Sequence, residues 1–320
     1  MMRRFLVGLA LAALAAPLPA QQYPSKPIRI VNAFAPGGPS DLLARMVAQK
    51  LQESWGQPVV VEAKTGAAGN IGMEFIARSP ADGYTLGIGP TGNLVVTPHI
   101  FAKLPYDPFK DFAPVTLIAT VENVLVVHPD VPARSVQELV ALARAKPGTL
   151  NFASPGSGSQ AHLAGELLKS MTGIDLVHVP YKGTGPALND VMGGQVTIMF
   201  SQMSSALPQV RAGKLRALGV ASPRRSAAAP EIPTVAEQGL TGFEAVSWYA
   251  LVAPAGTPPD IVEKVQKEVA RVLQLADSRE RLAGLGAEPV GNAPAELAAR
   301  MRTESVRWAQ VVKAAGIKAD

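Results

Sequence analysis

One unit recurs along the chain and constrains its fold more than any other feature: a β-rich run, a loop of Gly, Ser and Pro, and an amphipathic helix. In the first copy, residues 28–31 precede the loop 35–40 and a helix from Asp41 with apolar side chains at helical spacing. The β-rich runs of the six copies are residues 28–31, 59–62, 84–88, 150–153, 176–179 and 196–200. Strands that alternate with helices form parallel pairs through right-handed crossovers. We therefore predict an α/β fold with parallel-dominated mixed sheets.

Two longer extended runs, residues 114–127 and 245–253, interrupt this alternation. We interpret them as two crossings between lobes, with hinges near both, because about 300 mature residues are typical of two domains. Lobe I would then hold residues 21–118 and 246–320, and lobe II residues 119–245. Residues 259–275 and 294–314 each have an apolar stripe, which predicts helices packed on the sheet of lobe I.

The first twenty residues have the pattern of a secretion signal. Arg3 and Arg4 precede an apolar run over residues 5–16, and Ala20 ends a plausible cleavage site before Gln21. This run is too short to cross a bilayer of about 30 Å, which favours a cleaved signal over an uncleaved anchor. The mature chain is therefore expected in the periplasm.

Composition excludes several classes of protein. The chain has no cysteine, which excludes disulfides, thiolate metal sites, cysteine nucleophiles and a lipid-modified N-terminal cysteine. The net charge of +5 overstates the basicity of the mature chain, because two of the 30 basic residues and none of the 25 acidic ones lie in residues 1–20. The charges are scattered, whereas nucleic-acid binders concentrate them on one face. We expect small anions as partners and no nucleic acid.

The Gly and Ser loops lie where open α/β sheets bind ligands, beyond the carboxyl ends of their strands. A helix that begins there directs unpaired N–H groups and the positive end of its dipole at the ligand. Ser40 and Ser159 are predicted N-caps, and the glycines beside them allow close approach to the backbone. Such a site can hold a carboxylate without an arginine. For a single loop, a tight turn explains the glycines better; several loops facing one cleft favour binding.

Enzyme motifs are weak. Residues 87–92 match the dinucleotide-binding pattern, but Pro90 stands where the helix should begin. No histidine pair has metal-binding spacing, and Ser157 is not in a nucleophile elbow. We interpret His162 as a hydrogen-bonding wall residue of the cleft and His178 as structural. The sequence therefore predicts no catalytic residue, no metal and no cofactor.

A series of short motifs in fixed order resembles one family, the extracytoplasmic receptors of tripartite tricarboxylate transporters, often called Bug proteins. The resemblance covers nearly the whole mature chain. Its landmarks are residues 23–28 (YPSKPI), 35–38 (APGG), Asp41, 66–69 (GAAG), 81–86 (ADGYTL), 154–159 (SPGSGS) with 162–163 (HL), 179–183 (VPYKG), 206–208 (ALP) with 212–217 (AGKLRA), and 233–237 (PTVAE).

The resemblance implies a type II-like, two-lobe periplasmic binding protein fold that closes on a carboxylated ligand. In the family, backbone amides and bridging waters hold one carboxylate, and the matching loops here are residues 34–40, 66–70 and 154–159. It also implies a monomer that delivers its ligand to membrane permease subunits. The residues predicted to contact the ligand are Phe34, Ala35, Gly37, Gly38, Ser40, Asp41, Gly66, Ala67, Ala68, Asn70, Thr91, Ser154, Gly156, Ser157, Gly158, Ser159, His162, Tyr181 and Ser201.

Two positions depart from the family pattern. Pro39-Ser40 replaces the more usual Gly-Thr, so one N–H donor is missing at that turn. Ser201 stands where many relatives carry an acid, and it either caps a helix or faces the cleft. In the cleft, it would suit an anionic or neutral ligand group and disfavour an ammonium.

The ligand class stays open at this point: a di- or tricarboxylate, or an aromatic or aliphatic monocarboxylate. An exported sensory module with the same binding step, and an exported enzyme that reuses the cleft, are the alternative functions.

Overall fold

The computed structural model describes residues 23–34, 36–181 and 183–317. The predicted secretion signal, its cleavage site near Ala20 and the predicted site residue Ala35 lie outside the described residues. Within those ranges, no helix is both long enough and apolar enough to cross a lipid bilayer.

Strands and helices alternate over most of the described chain. The strands are β1 (Ile28–Asn32), β2 (Val59–Ala63), β3 (Thr85–Pro90), β4 (Phe112–Val121), β5 (Asn123–Val127), β6 (Asn151–Ser154), β7 (Val177–Pro180), β8 (Ile198–Gln202), β9 (Arg216–Val220), β10 (Ser247–Pro254) and β11 (Ala287–Pro289). The helices are α1 (Pro39–Trp55), α2 (Asn70–Ala77), α3 (Thr97–Ile100), α4 (Val136–Ala145), α5 (Gln160–Thr172), α6 (Thr184–Met192), α7 (Met203–Arg211), α8 (Pro259–Leu273), α9 (Ala276–Gly284) and α10 (Pro294–Ala315). A 3₁₀ turn (Ala67–Gly69) precedes α2, and a π-helical turn (Gly92–Val96) precedes α3.

The strands form two sheets, which define lobe I and lobe II. The strand order is β11-β4-β10-β3-β1-β2 in lobe I and β7-β6-β8-β5-β9 in lobe II. In lobe I, β1 is parallel to β2 and β3, while β10 is antiparallel to β3 and β4, and β11 to β4. In lobe II, β6 is parallel to β7 and β8, while β5 is antiparallel to β8 and β9.

The predicted α/β class with mixed sheets is confirmed, but parallel pairing does not dominate. Among the described strands, four of the nine pairs are parallel. The antiparallel pairs all involve the strands beside the crossings, β4, β5 and β10. The chain leaves one sheet and enters the next through these strands, so they run against the strands of the repeated units.

The first crossing between the sheets is a single residue, whereas the return runs over residues 221–246, between β9 and β10, and hydrogen bonds link the two. Strand β4 ends at Val121 in lobe I and β5 begins at Asn123 in lobe II, so Glu122 alone separates the sheets. On the return, the Asn123 side-chain amide donates to Ala245 O at 2.7 Å and to Ser247 Oγ at 3.2 Å. The crossings therefore form one joint.

The start, the buried face and the end of helix α1, beside the cleft, each follow from particular residues of the sequence. Pro39 occupies the first turn, where its fixed φ is favourable and its missing N–H costs nothing. Leu43, Val47 and Leu51 are fully buried under the sheet of lobe I, and each buried aliphatic side chain contributes about 1.5–3 kcal/mol. Gly56, with φ of 65°, ends the helix in the left-handed conformation.

Several elements were not predicted. Helix α4 is one of them, although Ser135 and Glu138 have capping-box spacing: Glu138 N donates to Ser135 Oγ at 3.1 Å. Helix α9, strand β9 and strand β11 were also missed, because they are short and have weak periodicity.

The last helix, α10, contacts both lobes. It packs on β4 of lobe I, as predicted for the C-terminal helices, but also on α5 of lobe II. Trp308 and Met301 of α10 belong to one buried apolar cluster with Leu163 and Leu167 of α5. Helix α10 therefore contacts lobe II in addition to the predicted lobe I.

Candidate functional site

A cavity of about 590 Å³ lies between the lobes, at the carboxyl ends of β1, β3, β6 and β8. Ten predicted site residues line it: Phe34, Gly38, Ser40, Ala68, Thr91, Gly156, Ser157, Gly158, Ser159 and Ser201. Others lie outside its lining: Gly37, Asp41, Gly66, Ala67, Asn70, Ser154, His162 and Tyr181. Lining residues that the sequence did not single out include Asn93, Ile100, Phe101, Gln160, Thr184, Met199, Phe200, Gln202, Trp248 and Tyr249. Contact with a ligand remains a prediction for all of them.

The turn before α1 is fixed by Asp41. Gly37, with φ of 89°, donates its N–H to Asp41 Oδ2 at 3.0 Å, and Arg45 Nε donates to the same oxygen at 2.9 Å. Burial opposes the charge of this carboxylate, but hydrogen bonds from Arg45 and Gly37 outweigh it and hold the pKa of Asp41 below its ordinary value. The N–H of Gly37 is thus used inside the turn, and Asp41 positions the loop from behind the cavity wall.

Ser40 does not cap α1, contrary to the prediction. The helix begins at Pro39 with Gly38 at the N-cap, because proline is well suited to the first helical position. The Ser40 hydroxyl instead donates to Asn32 Oδ1, and Asn32 Nδ2 donates to Phe34 O at 2.9 Å. Backbone N–H groups in the first turn of a helix have no acceptor within it, and the N–H of Ser40, at the positive end of α1, has no acceptor among the described residues.

The turn before α2 is strained. All four of its residues have positive φ: 130° at Gly66, 46° at Ala67, 53° at Ala68 and 91° at Gly69. An alanine in the left-handed region costs about 1–2 kcal/mol. The side chain of Asn93 holds the turn, with Nδ2 donating to Ala68 O at 3.0 Å. Retained strain of this kind marks functional loops, and here the strained Ala68 lines the cavity.

Thr91 joins two strands of lobe I at the cavity wall. Its hydroxyl oxygen accepts from Trp248 N at 2.8 Å and donates to Trp248 O at 3.1 Å. Both hydrogen-bonding functions of the hydroxyl are therefore used within the wall.

The loop before α5 in lobe II resembles the loop before α1. Ser159 caps the helix as predicted, accepting from His162 N at 3.3 Å. Gly158 N donates to His162 Nδ1 at 3.0 Å, and Gly156 N donates to Ser154 Oγ at 3.2 Å. These two glycine N–H groups and that of His162 are used inside the loop, which leaves the N–H groups of Gln160 and Ala161 in the first turn of α5 as candidate donors to a ligand.

A stack of imidazole rings supports this loop from behind. His162 is buried outside the cavity lining, not at its wall, and its ring lies parallel to His178 with centroids 3.7 Å apart. His178 Nε2 contacts Ser154 Oγ at 2.6 Å. Burial first, and then repulsion from His178 and Lys169, lowers the pKa of His162 to about 3. The imidazole is therefore neutral near pH 7, which its acceptor role at Nδ1 requires.

Tyr181 also lies behind the loop. Its hydroxyl donates to Asp190 Oδ2 at 2.5 Å, and its N–H donates to Ser154 O at 2.8 Å. Burial, with help from Asp190, raises the pKa of Tyr181 to about 12. The residue ties the end of β7 to α6.

Two lining side chains have polar atoms left unpaired. Both polar atoms of the Gln160 amide and the Ser201 hydroxyl are buried with no hydrogen-bond partner among the described residues. Ser201 is 1% exposed, and it does not cap α7, which begins at Met203 with Gln202 at the N-cap. A buried unsatisfied polar group costs about 1–3 kcal/mol, so these atoms indicate places for ligand atoms.

The lining residues that the structure describes have uncharged side chains. None of the described lining residues is Asp, Glu, Lys, Arg or His. Much of the wall is apolar, since it includes the side chains of Phe34, Ile100, Phe101, Met199, Phe200 and Trp248. Across the cavity, Gln202 Nε2 of lobe II donates to the Tyr249 hydroxyl of lobe I at 3.1 Å. The described residues contain no cluster of His, Asp and Glu suited to a metal ion.

Known proteins share this sequence and fold. The model of a family described as tripartite tricarboxylate transporter family receptor matches residues 43–317. BugT of Bordetella pertussis is 40% identical over 313 residues, covering 98% of this chain and 96% of BugT. The structure of R. palustris Rpa4515 with adipate has 37% identity and a TM-score of 0.85, covering 93% of this chain and 100% of that one. MatC from Rhodopseudomonas palustris with bound malate has 36% identity and a TM-score of 0.80, covering 91% and 100%. These similarities confirm the predicted two-lobe binding protein fold.

Proposed function

Since the chain belongs to the tripartite tricarboxylate transporter receptor family, we propose that it captures a small organic carboxylate in the cavity between its lobes and delivers it to a membrane permease. Solved relatives hold adipate and malate, both carboxylates. The family membership agrees with the resemblance seen in the sequence. The periplasm is the proposed location.

The observation that carries the proposal is the convergence of helix N-termini on a cavity whose described lining residues are uncharged. First-turn residues of α1, α5 and α6 line it: Ser40, Gln160 and Thr184. Each helix end has about half a positive charge and free N–H donors, which together suit a carboxylate. Hydrogen bonds to a charged group contribute about 1.5–3 kcal/mol each, so a few such donors supply useful affinity.

The same lining supports binding without chemical change. A general base or acid must lie within hydrogen-bond reach of the reacting group, and the described lining residues include no carboxylate, imidazole or amine. Asp41 and His162 are both used behind the wall, where they hold Gly37 and Gly158.

Lobe closure about the joint at Glu122 and Asn123 would complete the site. The ligand contacts helix ends from both lobes, so it stabilises the closed arrangement by its differential affinity for it. The bond from Gln202 to Tyr249 already spans the lobes in this structure.

The test is native mass spectrometry of freshly purified protein, followed by calorimetry with the acid that it retains. The proposal expects a carboxylic acid to be retained and released chemically unchanged after prolonged incubation. An altered product would favour an enzyme. Failure to bind any carboxylic acid would overturn the proposed function.

A further inference from the structure

We propose that the cavity selects a monoanion with one carboxylate, an apolar body and a distal uncharged group that both donates and accepts hydrogen bonds, read by Gln160 and Ser201. This inference rests on the proposed function of carboxylate capture. It concerns which acid is preferred.

Gln160 and Ser201 lie together at one edge of lobe II. Gln160 is the first residue of α5, directly after the loop that follows β6, and Ser201 is near the end of β8. Strands β6 and β8 are adjacent and parallel, with Ala153 opposite Met199. The carboxyl ends of parallel neighbours share one edge of a sheet, so both side chains line the same face of the cavity.

The two faces of the cavity offer different hydrogen bonds. In lobe I, the hydroxyls of Ser40 and Thr91 and the amide of Asn93 are paired within the wall. The free groups of that face are first-turn N–H donors, which suit an acceptor-only carboxylate. In lobe II, the Gln160 amide is unpaired at both its nitrogen and its oxygen, and the Ser201 hydroxyl is unpaired too.

The Gln160 amide needs a partner that donates as well as accepts. A second carboxylate has acceptors alone and would leave Gln160 Oε1 facing a negative oxygen. A carboxamide or a hydroxyl satisfies both functions. The carbonyl of a carboxamide would also accept from the first-turn N–H groups of α5, while its N–H donates to Gln160 Oε1.

Charge compensation points the same way. Three helices have first-turn residues in the described lining, which amounts to about 1.5 positive charges at about 0.5 per helix end. Summed over one helix end in lobe I and two in lobe II, this positive field exceeds the charge of one carboxylate and falls short of that of two. No charged side chain among the described lining residues adds to this field, so the described part of the wall compensates less than the charge of a dianion and offers an ammonium group no carboxylate.

The apolar residues of the cavity wall indicate the chemistry of the segment between the two polar ends of the ligand. The apolar part of the wall is formed by residues of both lobes: Ile100, Phe101 and Trp248 of lobe I, and Met199 and Phe200 of lobe II. These side chains suit an alkyl or aryl segment between the two polar ends.

Calorimetry with matched acids tests the inference. The six-carbon series is adipate, adipamate, 6-hydroxyhexanoate, hexanoate and 6-aminohexanoate; the aromatic series is terephthalate, 4-carbamoylbenzoate and benzoate. In the series that fits the cavity, we expect the amide or hydroxyl acid to bind at least tenfold more tightly than the diacid, the plain acid or the amino acid. Tighter binding of the diacid would overturn the inference and leave the proposed function intact.

Variants assign the preference to the two side chains. Gln160→Leu should reduce binding of the amide acid to the level of the plain acid while leaving binding of the plain acid within about twofold, and Ser201→Ala should have a smaller effect of the same kind. Gln195→Leu, at an exposed position of lobe II outside the cavity lining, is the matched control and should change nothing. If Gln160→Leu reduced the affinity for every acid equally, Gln160 would not be the residue that recognises the distal group. Absence of binding by all acids of both series, together with no carboxylic acid retained in native mass spectrometry, would instead overturn the proposed function.

Discussion

The two lobes build their cleft loops by the same device but with different chemistry. In lobe I, Gly37 donates its N–H to the carboxylate of Asp41; in lobe II, Gly158 donates its N–H to the imidazole of His162. In each case the acceptor lies four residues later, in the first turn of the following helix. The loop glycines thus shape the turns, which supports our proposal that the helix ends bind the ligand.

The difference lies in how each acceptor is kept in its accepting state. Asp41 stays charged because Arg45, at the half-exposed surface, donates to it. His162 stays neutral because it is buried in a stack with His178 and Phe152. One loop is stabilised by charge and the other by packing, so the lobes should respond differently to substitution and to acid.

The largest expected effect is at Gly158. Its φ of 77° disfavours a side chain, and an added Cβ would lie 2.3 Å from Ile100 Cδ1 of the opposite lobe. Gly158→Val should therefore reduce ligand affinity by about a hundredfold or more, or about 2.7 kcal/mol, while the far-UV circular dichroism stays native. Calorimetry with the retained acid measures the loss.

Gly173→Val is the control for Gly158→Val. Gly173, at the far end of α5, has φ of 69° and open space around an added Cβ. It reproduces the backbone strain without the clash at the cleft. Unchanged affinity in Gly158→Val would remove the lobe II loop from the site.

Lobe I should be less sensitive at the matching glycine. Gly37 has φ of 89° but nothing within 4 Å of an added Cβ, so Gly37→Ala introduces strain alone. We expect a tenfold loss of affinity or less, in line with about 1–2 kcal/mol of left-handed strain shared between folding and binding. If Gly37→Ala lost as much affinity as Gly158→Val in calorimetry, the proposed asymmetry of the lobes would be wrong.

Acid should act on lobe II first. The unfolded His162 binds a proton near its ordinary pKa of 6.5 and the folded one near 3, so stability falls as the pH is lowered from about 6.5 towards 3. The pKa of Asp41 in the folded protein lies below its ordinary value of 3.8. Asp41 therefore loses its contribution to stability only when the pH falls below that ordinary value. The free energy of unfolding, measured with urea at several pH values above 4, should fall less steeply with decreasing pH in His162→Asn than in wild type. The same pH dependence of the free energy of unfolding in both proteins would show that the fold does not keep His162 neutral.

The smallest effect is expected at the strained turn. Ala68→Gly removes the cost of a left-handed alanine but adds flexibility to the unfolded chain, and the two effects oppose each other. We expect stability to change by about 1 kcal/mol or less, with slightly weaker binding because the turn is less preorganised. Thermal unfolding and calorimetry would register a loss of several kcal/mol if Ala68 were instead a packing residue.

The repeated units could be predicted because each combines local signals: a β-branched run, a glycine loop and a helical stripe. The family resemblance identified the loops at 34–40, 66–70 and 154–159 as ligand-binding, and many of their residues line the cavity. Asp41 and His162 were predicted in the same set, but their place behind the wall depends on loop geometry that spacing does not reveal.

Gln160 was missed although it directly follows the predicted cap Ser159. A glutamine at the start of a helix is unremarkable until its amide is seen to be buried and unpaired. Trp248 and Tyr249 were missed for another reason: they reach the cavity through β10, which inserts between β3 and β4 from far along the chain. Non-local pairing of this kind has no local sequence pattern.

The most direct test of the account is a crystal structure with the acid that the protein retains. The account predicts carboxylate oxygens about 3 Å from first-turn backbone nitrogens, those of Ser40 and Asp41 in particular, inside the cavity between the lobes. An acid bound outside this cavity, or held there by a lysine or arginine side chain in place of the helix ends, would contradict it.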